Sequence, residues 1–392
     1  MRRLYWLILL QAGCASSLDY RGKVAVEGRY YPLPPKYDGE SSGSGVSMVA
    51  EPEAWLQSED NKNVLTLRPF LRLDAAEPER DHWDLRRLDE VYSGEGWEFG
   101  AGVNVFDWRV LESHGLVDVL SAPDYAESLD GREKLGTPYL EVGWLPGDWA
   151  LRAYVLPWFR PPTFPGERSR LRFAAPVDPE HAIYSTALGA FQPSFALRLS
   201  GAWGPLDFGV SLFSGVSREP RFIAQLTDPK VVAAYDLVHQ LSLDLRWTYG
   251  PISLKAEGFA RLRSPELSFF WAAGGGLDYS FFDLFGSGAD LSLAAEFIYD
   301  ARPKDAALSF FQHDVFFGLR LALNDEGSAQ LLGGVITDVV DLRTYVRARA
   351  ERRFGERFKL FLEVDAFLGN NRGVEAALVQ EHFGQLGIGY YL

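Results

Sequence analysis

The sequence is poor in cysteine, methionine and long apolar runs. Its 392 residues include one Cys and two Met. A single cysteine excludes an internal disulfide bond. After residue 15, no stretch approaches the ~18 uninterrupted apolar residues of a membrane-spanning helix. We therefore expect no transmembrane helix.

Positive charge is also scarce. The formal net charge is −14, and no basic stripe with interleaved aromatic residues is present. Because binding of nucleic acid requires a basic surface, the composition argues against a nucleic-acid partner. The six histidines are scattered, at no spacing that suggests metal ligands. We expect no metal site and no cofactor.

The N-terminus carries a short export signal. Arg2 and Arg3 precede an apolar run over 4–10, which is too short to span a bilayer, and small residues follow. Cleavage after Ala15 gives a signal peptide over 1–15. Alternatively, "QAGC" resembles a lipobox, which would make Cys14 a lipidated first residue. The sequence favours neither alternative strongly.

Apolar residues alternate with polar ones along most of the chain. Aromatic residues make up 14% of the sequence and glycine occurs 38 times, which favours β-structure with tight turns. In 241–249 the apolar residues are odd-numbered, whereas in 252–262 they are even-numbered. Gly250-Pro251 between them predicts a two-residue hairpin that keeps both apolar sets on one side. On the other side, we expect diagonal pairs of Asp244 with Lys255 and of Arg246 with Glu257.

The lengths of the alternating segments favour a transmembrane barrel. They run ~9–13 residues, as tilted membrane-crossing strands do. Short turns and long polar connections alternate, as periplasmic turns and extracellular loops do. Counting back from the C-terminus predicts about 18 antiparallel strands over 16–392, with 16 as the alternative. A soluble β-sandwich or β-helix would have shorter strands and few charges facing its core.

One segment, 110–135, interrupts the alternation. Its apolar cluster over 116–120 would be costly in water, so we expect the segment to fold into the lumen and form a constriction. His114, next to Glu112, is the one candidate for a reactive side chain in this segment. The simpler interpretation is that His114 is a hydrogen-bonded loop histidine. The candidate constriction residues are Glu112, His114, Asp118, Asp124, Glu127 and Asp130.

The polar face of the strands predicts a charged pore wall. These charges either pair with one another, or they form an arginine wall opposite the acidic segment, which would create a transverse field. The candidate pore-lining cations are Arg68, Arg72, Arg152, Arg198, Arg246, Lys255, Arg261 and Arg320.

Residues 85–165 also resemble a known family. The quoted stretches "RRLDEVYSGEGWEFGAGVNVFDW", "LVDVLSAPDY" and "GWLPGDWALRAYVLPWFRPPTFP" are similar to proteobacterial outer-membrane barrels of unassigned substrate, related to alginate-export-type porins. The resemblance implies an outer-membrane channel or export barrel. The matching positions are Glu90, Tyr92, Gly102, Trp108, Asp118, Val119, Leu120, Pro123, Asp124, Leu156, Pro157, Trp158 and Phe159.

Together these patterns predict a porin-like channel of the bacterial outer membrane. Its partners would be outer-membrane lipid and small polar solutes that pass by diffusion. An arginine wall would favour anionic solutes among them. The alternative is a plugged barrel that serves as a scaffold or accessory subunit of an envelope assembly. The apolar exterior also suits a homo-oligomer. An outer-membrane hydrolase is least favoured, because no His-x-Ser pair is present on the lipid-facing positions, and we expect no enzyme activity.

Overall fold

The chain forms a closed, antiparallel barrel of 18 strands, which confirms the predicted fold class and strand count. The structure is a computed structural model that describes residues 15–225, 229–264, 266–369 and 377–392. Pairing of the first strand with the last closes the sheet, from Lys23 opposite Tyr391 to Tyr30 opposite Gly384. Residues 1–14, with the candidate lipidation site Cys14, lie outside the described ranges.

The described ranges contain 21 strands, of which 18 belong to the barrel. The barrel strands are β1 (Ala15–Tyr30), β2 (Ser44–Ser58), β3 (Asn63–Asp74), β4 (His82–Ser93), β5 (Trp97–Asn104), β6 (Thr137–Trp144), β7 (Trp149–Leu156), β9 (Ser194–Trp203), β10 (Leu206–Val216), β13 (Leu237–Tyr249), β14 (Ile252–Ser264), β15 (Ser268–Phe281), β16 (Asp290–Asp300), β17 (His313–Ala322), β18 (Gln330–Asp338), β19 (Thr344–Phe354), β20 (Phe358–Leu368) and β21 (Phe383–Tyr391). The other three are β8 (Val177–Tyr184), β11 (Arg221–Ala224) and β12 (Val231–Tyr235).

Three short 3₁₀ turns lie wholly within these ranges. They are Pro78–Arg80, Gly189–Phe191 and Leu284–Gly286. None of the described helices has the length and apolar character that crossing a bilayer requires.

The β13–β14 hairpin shows which side of the sheet is inside. Tyr249 pairs with Ile252 across the two-residue turn, as predicted, and Gly250 adopts a φ of +57°, which a side chain at this position would strain. Leu241 on the outer side is 50% exposed, whereas Asp244 on the inner side is 5% exposed. The barrel therefore presents apolar side chains outward and charged side chains inward, the arrangement of a membrane-spanning barrel.

The two ends of the barrel differ in the length of their connections. Large aromatic side chains lie beside the short turns, where Trp144, Trp149, Trp203 and Tyr249 are all at least 45% exposed. Such residues form the interfacial girdle of a membrane barrel. Because the turns of such barrels are short at the periplasmic side and long at the extracellular side, we assign the short-turn end as periplasmic. The long connections at the extracellular end span 31–43, 105–136, 157–193 and 217–236.

Several strand ends differ from the sequence-based prediction. β5 ends at Asn104 instead of 109, because the chain turns inward there and buries Phe106. β7 ends at Leu156 instead of 159, since Pro157 has no N–H to donate to a neighbouring strand. The small sheet of β8, β11 and β12 was not predicted, as its strands lie within the long polar connections and alternate poorly.

Candidate functional site: the barrel lumen

The connection between β5 and β6, residues 105–136, lies inside the barrel, and we call it the inward loop. It contacts the inner wall through two apolar clusters. In the first, Val119 and Leu120 pack with the inward side chains of Tyr154, Phe213 and Val238. Leu120 is fully buried. Burial of these side chains stabilises the loop by about 1.5–3 kcal/mol each, which favours its inward position over exposure to water.

The second apolar cluster holds the first turn of the inward loop. Leu111 and Leu116 pack against Phe259, Phe270 and Ile298, which project inward from β14, β15 and β16. Both loop residues are buried, with 2% and 6% exposure. The two clusters attach the loop to the wall formed by β6–β16.

Two wall carboxylates bind the backbone of the inward loop. The Glu257 carboxylate on β14 accepts the N–H groups of Leu111 at 2.8 Å and Leu116 at 2.7 Å, together with those of Val110 and Val117. These bonds satisfy donors in an irregular, buried backbone segment that has no ladder partners.

Glu296 on β16 provides the second of these carboxylates. It accepts the N–H groups of Glu112 at 2.8 Å and Ser113 at 2.9 Å, and the hydroxyl group of Ser113 at 2.6 Å. The Lys255 ammonium, which is fully buried, lies 3.0 Å from Glu296 and 2.8 Å from Asp278. Hydrogen bonds from the loop backbone do not neutralise the negative charge of Glu296. The Lys255 ammonium provides the opposite charge.

The far side of the inward loop reaches the opposite wall. Asp130 accepts a bond from Arg347 on β19 at 2.7 Å, and Glu127 accepts one from Arg72 on β3 at 2.6 Å. Since Glu257 and Glu296 hold the loop on β14 and β16, these contacts show that the loop extends across the lumen.

Further contacts hold the middle of the loop. Asp124 is fully buried and accepts a bond from Arg86 at 2.7 Å and one from His82 at 3.1 Å. Asp118 contacts Lys134 within the loop. Arg218 donates to the Leu120 carbonyl at 3.0 Å, and burial lowers the pKa of this arginine to about 9.

Titration in the loop follows burial and neighbouring charge. His114 packs against Phe311 with ring centroids 4.6 Å apart and ring planes tilted by 36°, and burial lowers the pKa of His114 to about 4. Burial would raise the pKa of Asp130, but Arg347 and Arg132 outweigh burial and hold that pKa below its usual range. At neutral pH the loop therefore carries an uncharged His114 and an ionised Asp130.

A cavity of about 1050 Å³ lies beside the inward loop. One side is formed by loop residues and the other by β16–β21 and β1–β3. Its lining extends to the periplasmic rim, where it includes Gly250, Phe282 and Tyr391. The space left open in the barrel is therefore displaced to the side of the lumen away from the two apolar clusters.

The charged lining of this cavity is nearly balanced. It contains nine Lys or Arg and eleven Asp or Glu residues. The loop side is acidic, since Glu112, Glu127, Asp130 and Glu133 face it with Arg132 as the only basic residue of the loop in the described lining. The remaining charged lining residues are Lys23, Glu27, Arg29, Glu51, Arg72, Arg80, Asp278, Asp314, Arg320, Asp338, Arg343, Arg347, Arg349, Glu363 and Asp365.

Three arginines on the opposite wall lie along one row of the sheet, which we call the basic row. Arg320 on β17 is two strands from Arg349 on β19, and Arg29 on β1 is three strands further along the same row. Strand spacing of ~4.8 Å places the backbones of Arg320 and Arg349 about 10 Å apart. Arg349 donates to Glu363 at 3.2 Å, whereas Arg320 is exposed and has no ion-pair partner within the described ranges.

The predicted pore-lining residues fall into two groups. Arg72 and Arg320 line the cavity, whereas the other six do not. Arg198 donates two bonds to Asp244 at 2.8 Å, and Arg261 donates to Gln240 at 2.7 Å. The other four also have partners. Arg68 pairs with Glu51, and Arg152 pairs with Glu98 and Glu141. Arg246 donates to the Val110 carbonyl, and Lys255 pairs with Asp278 and Glu296.

The predicted constriction residues divide in the same way. Glu112, Glu127 and Asp130 face the cavity. His114, Asp118 and Asp124 are not part of its lining, and they contact Phe311, Lys134 and Arg86 instead. Within the described ranges, no group of three or more His, Cys, Asp or Glu side chains is arranged to hold a metal ion.

The long connections contact one another at the extracellular end of the lumen, and we call them the extracellular cap. It consists of 31–43, 157–193, 217–236, 301–312 and the described residues of 369–382. Arg170 donates to Glu381 at 2.6 Å and to the carbonyls of Leu33 and Pro34 at 3.1 Å, so three connections meet at one guanidinium group. Arg170 and Glu381 are at most 2% exposed. The cavity meets this cap at Leu171, Phe310, Leu378 and Val379.

The carboxylates that hold the inward loop were not among the predicted site residues. Glu257 and Glu296 lie on the inward face, as the alternation predicts, but their partners are backbone groups 146 and 184 residues away. A backbone donor leaves no side-chain signature, so no local pattern identifies this contact.

Comparison with solved structures shows the same architecture in outer-membrane proteins. Acinetobacter baumannii OccAB1 superposes with a TM-score of 0.57 at 7% identity, covering 97% of both chains. A BenF-like porin from Pseudomonas fluorescens Pf-5 gives 0.56 at 11% identity, covering 96% of this chain and 98% of that one.

A third similar structure is Wzi of Escherichia coli, described as a carbohydrate-binding β-barrel involved in group 1 capsule assembly. Its TM-score is 0.54 at 11% identity, with 98% of this chain and 86% of Wzi covered. No protein-family model and no curated protein sequence matches the chain. At these identities the likeness shows the fold alone, a closed antiparallel β-barrel that these outer-membrane proteins share.

Proposed function

Starting from a chain with the fold of outer-membrane porin-like barrels, we propose that it forms a passive channel for small polar solutes. The observation that carries this proposal is the 1050 Å³ cavity, which runs beside the inward loop to the periplasmic rim. Its charged lining suits hydrated solutes, and the inward loop provides the constriction that limits their size. No catalytic step is part of this function.

The distribution of charge supports a finer proposal about the solute. Acidic side chains concentrate on the inward loop, and the basic row lies on the facing wall. Such a transverse field orients solutes that have a positive and a negative end, and it directs anionic groups toward the arginines. Acidic residues outnumber basic ones in the lining by two, so the anion preference that we infer is weak and local to the basic row, chiefly to Arg320 and Arg349.

Reversal potentials in planar bilayers test this proposal. Under a KCl gradient, we expect wild-type channels to show weak anion selectivity. The Arg320→Gln/Arg349→Gln double variant should raise the cation-to-anion permeability ratio about twofold or more, because it removes two lining cations. Arg152→Gln is the matched control, since Arg152 lies on the inner wall outside the cavity. An equal shift in the control would contradict the role of the basic row.

The extracellular cap favours a second candidate function. The buried Arg170–Glu381 pair joins loops that lie over the cavity, which suits a closed barrel acting as a scaffold or accessory subunit of an envelope assembly. Wzi, described as a carbohydrate-binding barrel of capsule assembly, has a similar fold. Absence of current over many insertions, together with binding of a surface polysaccharide by the purified barrel, would favour this candidate over the channel.

The N-terminal signal and the stretch 85–165 support two further proposals. We infer export through the N-terminal signal over 1–15, with Cys14 as the site of lipidation if the lipobox is used. The relation to alginate-export-type porins rests on the resemblance over 85–165. Mass measurement of the mature protein distinguishes cleavage after Ala15 from acylation of Cys14. Its mass in detergent also shows whether copies of the chain associate.

A further inference from the structure

A hydrogen-bonded serine–histidine pair lies on the outer surface of the barrel. Ser214 on β10 and His239 on β13 are opposite each other in register, and the Ser214 Oγ lies 3.0 Å from the His239 Nδ1. Both side chains share the outward face with Leu212 and Leu241, which are 52% and 50% exposed. The two residues are 25 positions apart in sequence, so a search for a His-x-Ser pattern does not find them.

The pair lies at a defined height on the barrel. His239 is ten residues from Tyr249, which belongs to the aromatic girdle at the periplasmic end of β13. A rise of ~3.4 Å per residue and a strand tilt of ~40° convert this separation to about 26 Å along the barrel axis. The apolar band of such barrels is about 25 Å tall, so Ser214 and His239 lie at its outer edge.

An apolar groove of about 640 Å³ contains the pair. Phe195 and Phe269, which are 52% and 64% exposed, rise on either side of it, and the small side chains of Ala153 and Ala260 leave space between them. Ser214 and His239 are the polar members of its outward-facing lining. Because the groove opens on the lipid-facing surface, it is continuous with the interface that the barrel already makes with the bilayer.

We propose that this groove is a binding site for an ester-linked acyl lipid of the outer leaflet. One acyl chain lies along the groove, and the ester carbonyl accepts a hydrogen bond from the Nε2–H of His239. With the Ser214 hydroxyl donating to Nδ1, the neutral imidazole carries its proton on Nε2. Ester linkages lie at the boundary between polar headgroups and acyl chains, the depth at which the pair occurs.

The groove favours an ester carbonyl over a charged headgroup. None of its lining residues is Lys, Arg, Asp or Glu, so a phosphate there would meet no opposite charge. Binding rather than ester cleavage fits the geometry. A nucleophilic serine needs a base oriented by a third group, and within the described ranges the Nε2 of His239 has no acid or amide partner. The ladder N–H groups around Ser214 are committed to β-pairing and offer no oxyanion site.

Native mass spectrometry of the full chain in detergent tests the site, with dioleoyl phosphatidylglycerol and its ether-linked analogue as probes. Wild type should bind the ester lipid about 2- to 10-fold more tightly than the ether lipid, the effect of one hydrogen bond. His239→Leu should abolish this preference. Leu212→Trp fills the groove and should weaken both lipids at least about tenfold. Leu362→Trp, on the outward face of β20 away from the groove, should bind like wild type.

Three outcomes would overturn the proposal. One is equal binding by wild type and Leu212→Trp, and another is an ester preference that survives in His239→Leu. The third is release of free fatty acid that Ser214→Ala abolishes, which would make the pair a hydrolase site instead. Since the groove lies on the outer wall, each of these results is independent of whether the lumen conducts.

Discussion

At the scale of single residues, carboxylates on the inner wall decide where the inward loop lies. Glu257 and Glu296 accept backbone N–H groups of the inward loop that have no other partner among the described residues. A carboxylate can accept several such bonds at once, and bonds to an ionised acceptor are stronger than neutral ones. These residues do more than solvate the lumen, because they accept the hydrogen bonds that hold the inward loop across it.

Glu257→Gln should loosen the inward loop. The amide replaces one acceptor oxygen with a donor that faces the N–H groups of Leu111, Leu116 and their neighbours, and each unmet buried donor costs about 1–3 kcal/mol. We expect larger and noisier single-channel currents and faster proteolysis within 105–136. Glu98→Gln, which alters a wall residue paired with Arg152 and not with the loop, is the control. Currents identical to wild type would contradict the role of Glu257.

His114 should make stability depend on pH. Burial lowers the pKa of His114 to about 4 in the folded chain, below the ~6.5 of an unfolded histidine. Stability is therefore fully present above pH ~6.5 and is lost as the pH falls toward 4, by on the order of 3 kcal/mol. The melting temperature of His114→Leu in detergent should fall less than that of wild type between pH 7 and 4.5. Parallel declines would show that His114 titrates normally.

Residue-level pairing was the least predictable part of the lumen. The predicted diagonal pairs are wrong, since Asp244 binds Arg198, Lys255 binds Asp278 and Glu296, and Glu257 binds the loop backbone. Alternation placed these charges on the inner face, but it contains no information about the loop that enters between them. The observed partners of these charges are therefore distant in sequence, whereas strand register alone predicts partners on the neighbouring strand of the hairpin.

At the scale of elements, the extracellular cap depends on one buried ion pair. Arg170→Ala would leave the Glu381 carboxylate buried without its partner, a change that costs about 3–5 kcal/mol. We expect protease added from outside to cleave the cap loops faster while the barrel strands resist. Replacing both residues by leucine should restore resistance. Arg21→Ala, at an exposed pair with Glu53, is the control, and equal cleavage of both single variants would contradict the proposed importance of the buried pair.

Element prediction succeeded where a strand has one face toward lipid. β13 and β14 alternate cleanly because every second side chain is exposed to the bilayer and the others face the lumen. β8, β11 and β12 lie in the cap, where their side chains pack on other loops, and the period-two signal is weak. The inward position of the loop was predictable from the cost of exposing residues 116–120. Its boundaries were not, since Phe106 and Trp108 continue the strand pattern before turning inward.

At the scale of the whole molecule, a closed sheet surrounds a lumen that is divided by its own loop. On one side the inward loop makes apolar contacts with β6–β16, and on the other side lies the cavity between acidic loop residues and the basic row. The sequence predicted the barrel and the acidic segment. Which wall the loop would contact depends on tertiary packing, so only Arg72 and Arg320 of the predicted wall cations line the cavity.

The most direct test of this account is single-channel conductance of the wild-type chain and of a variant in which 110–135 is replaced by a short Gly-Ser turn. The account predicts ohmic steps for wild type and severalfold larger steps for the variant, because the loop crosses the lumen from β14 and β16 to β3 and β19. Circular dichroism would verify that the variant retains its strands. Steps of equal size, or no current from either protein over many insertions, would contradict the claim that this barrel is a channel narrowed by its inward loop.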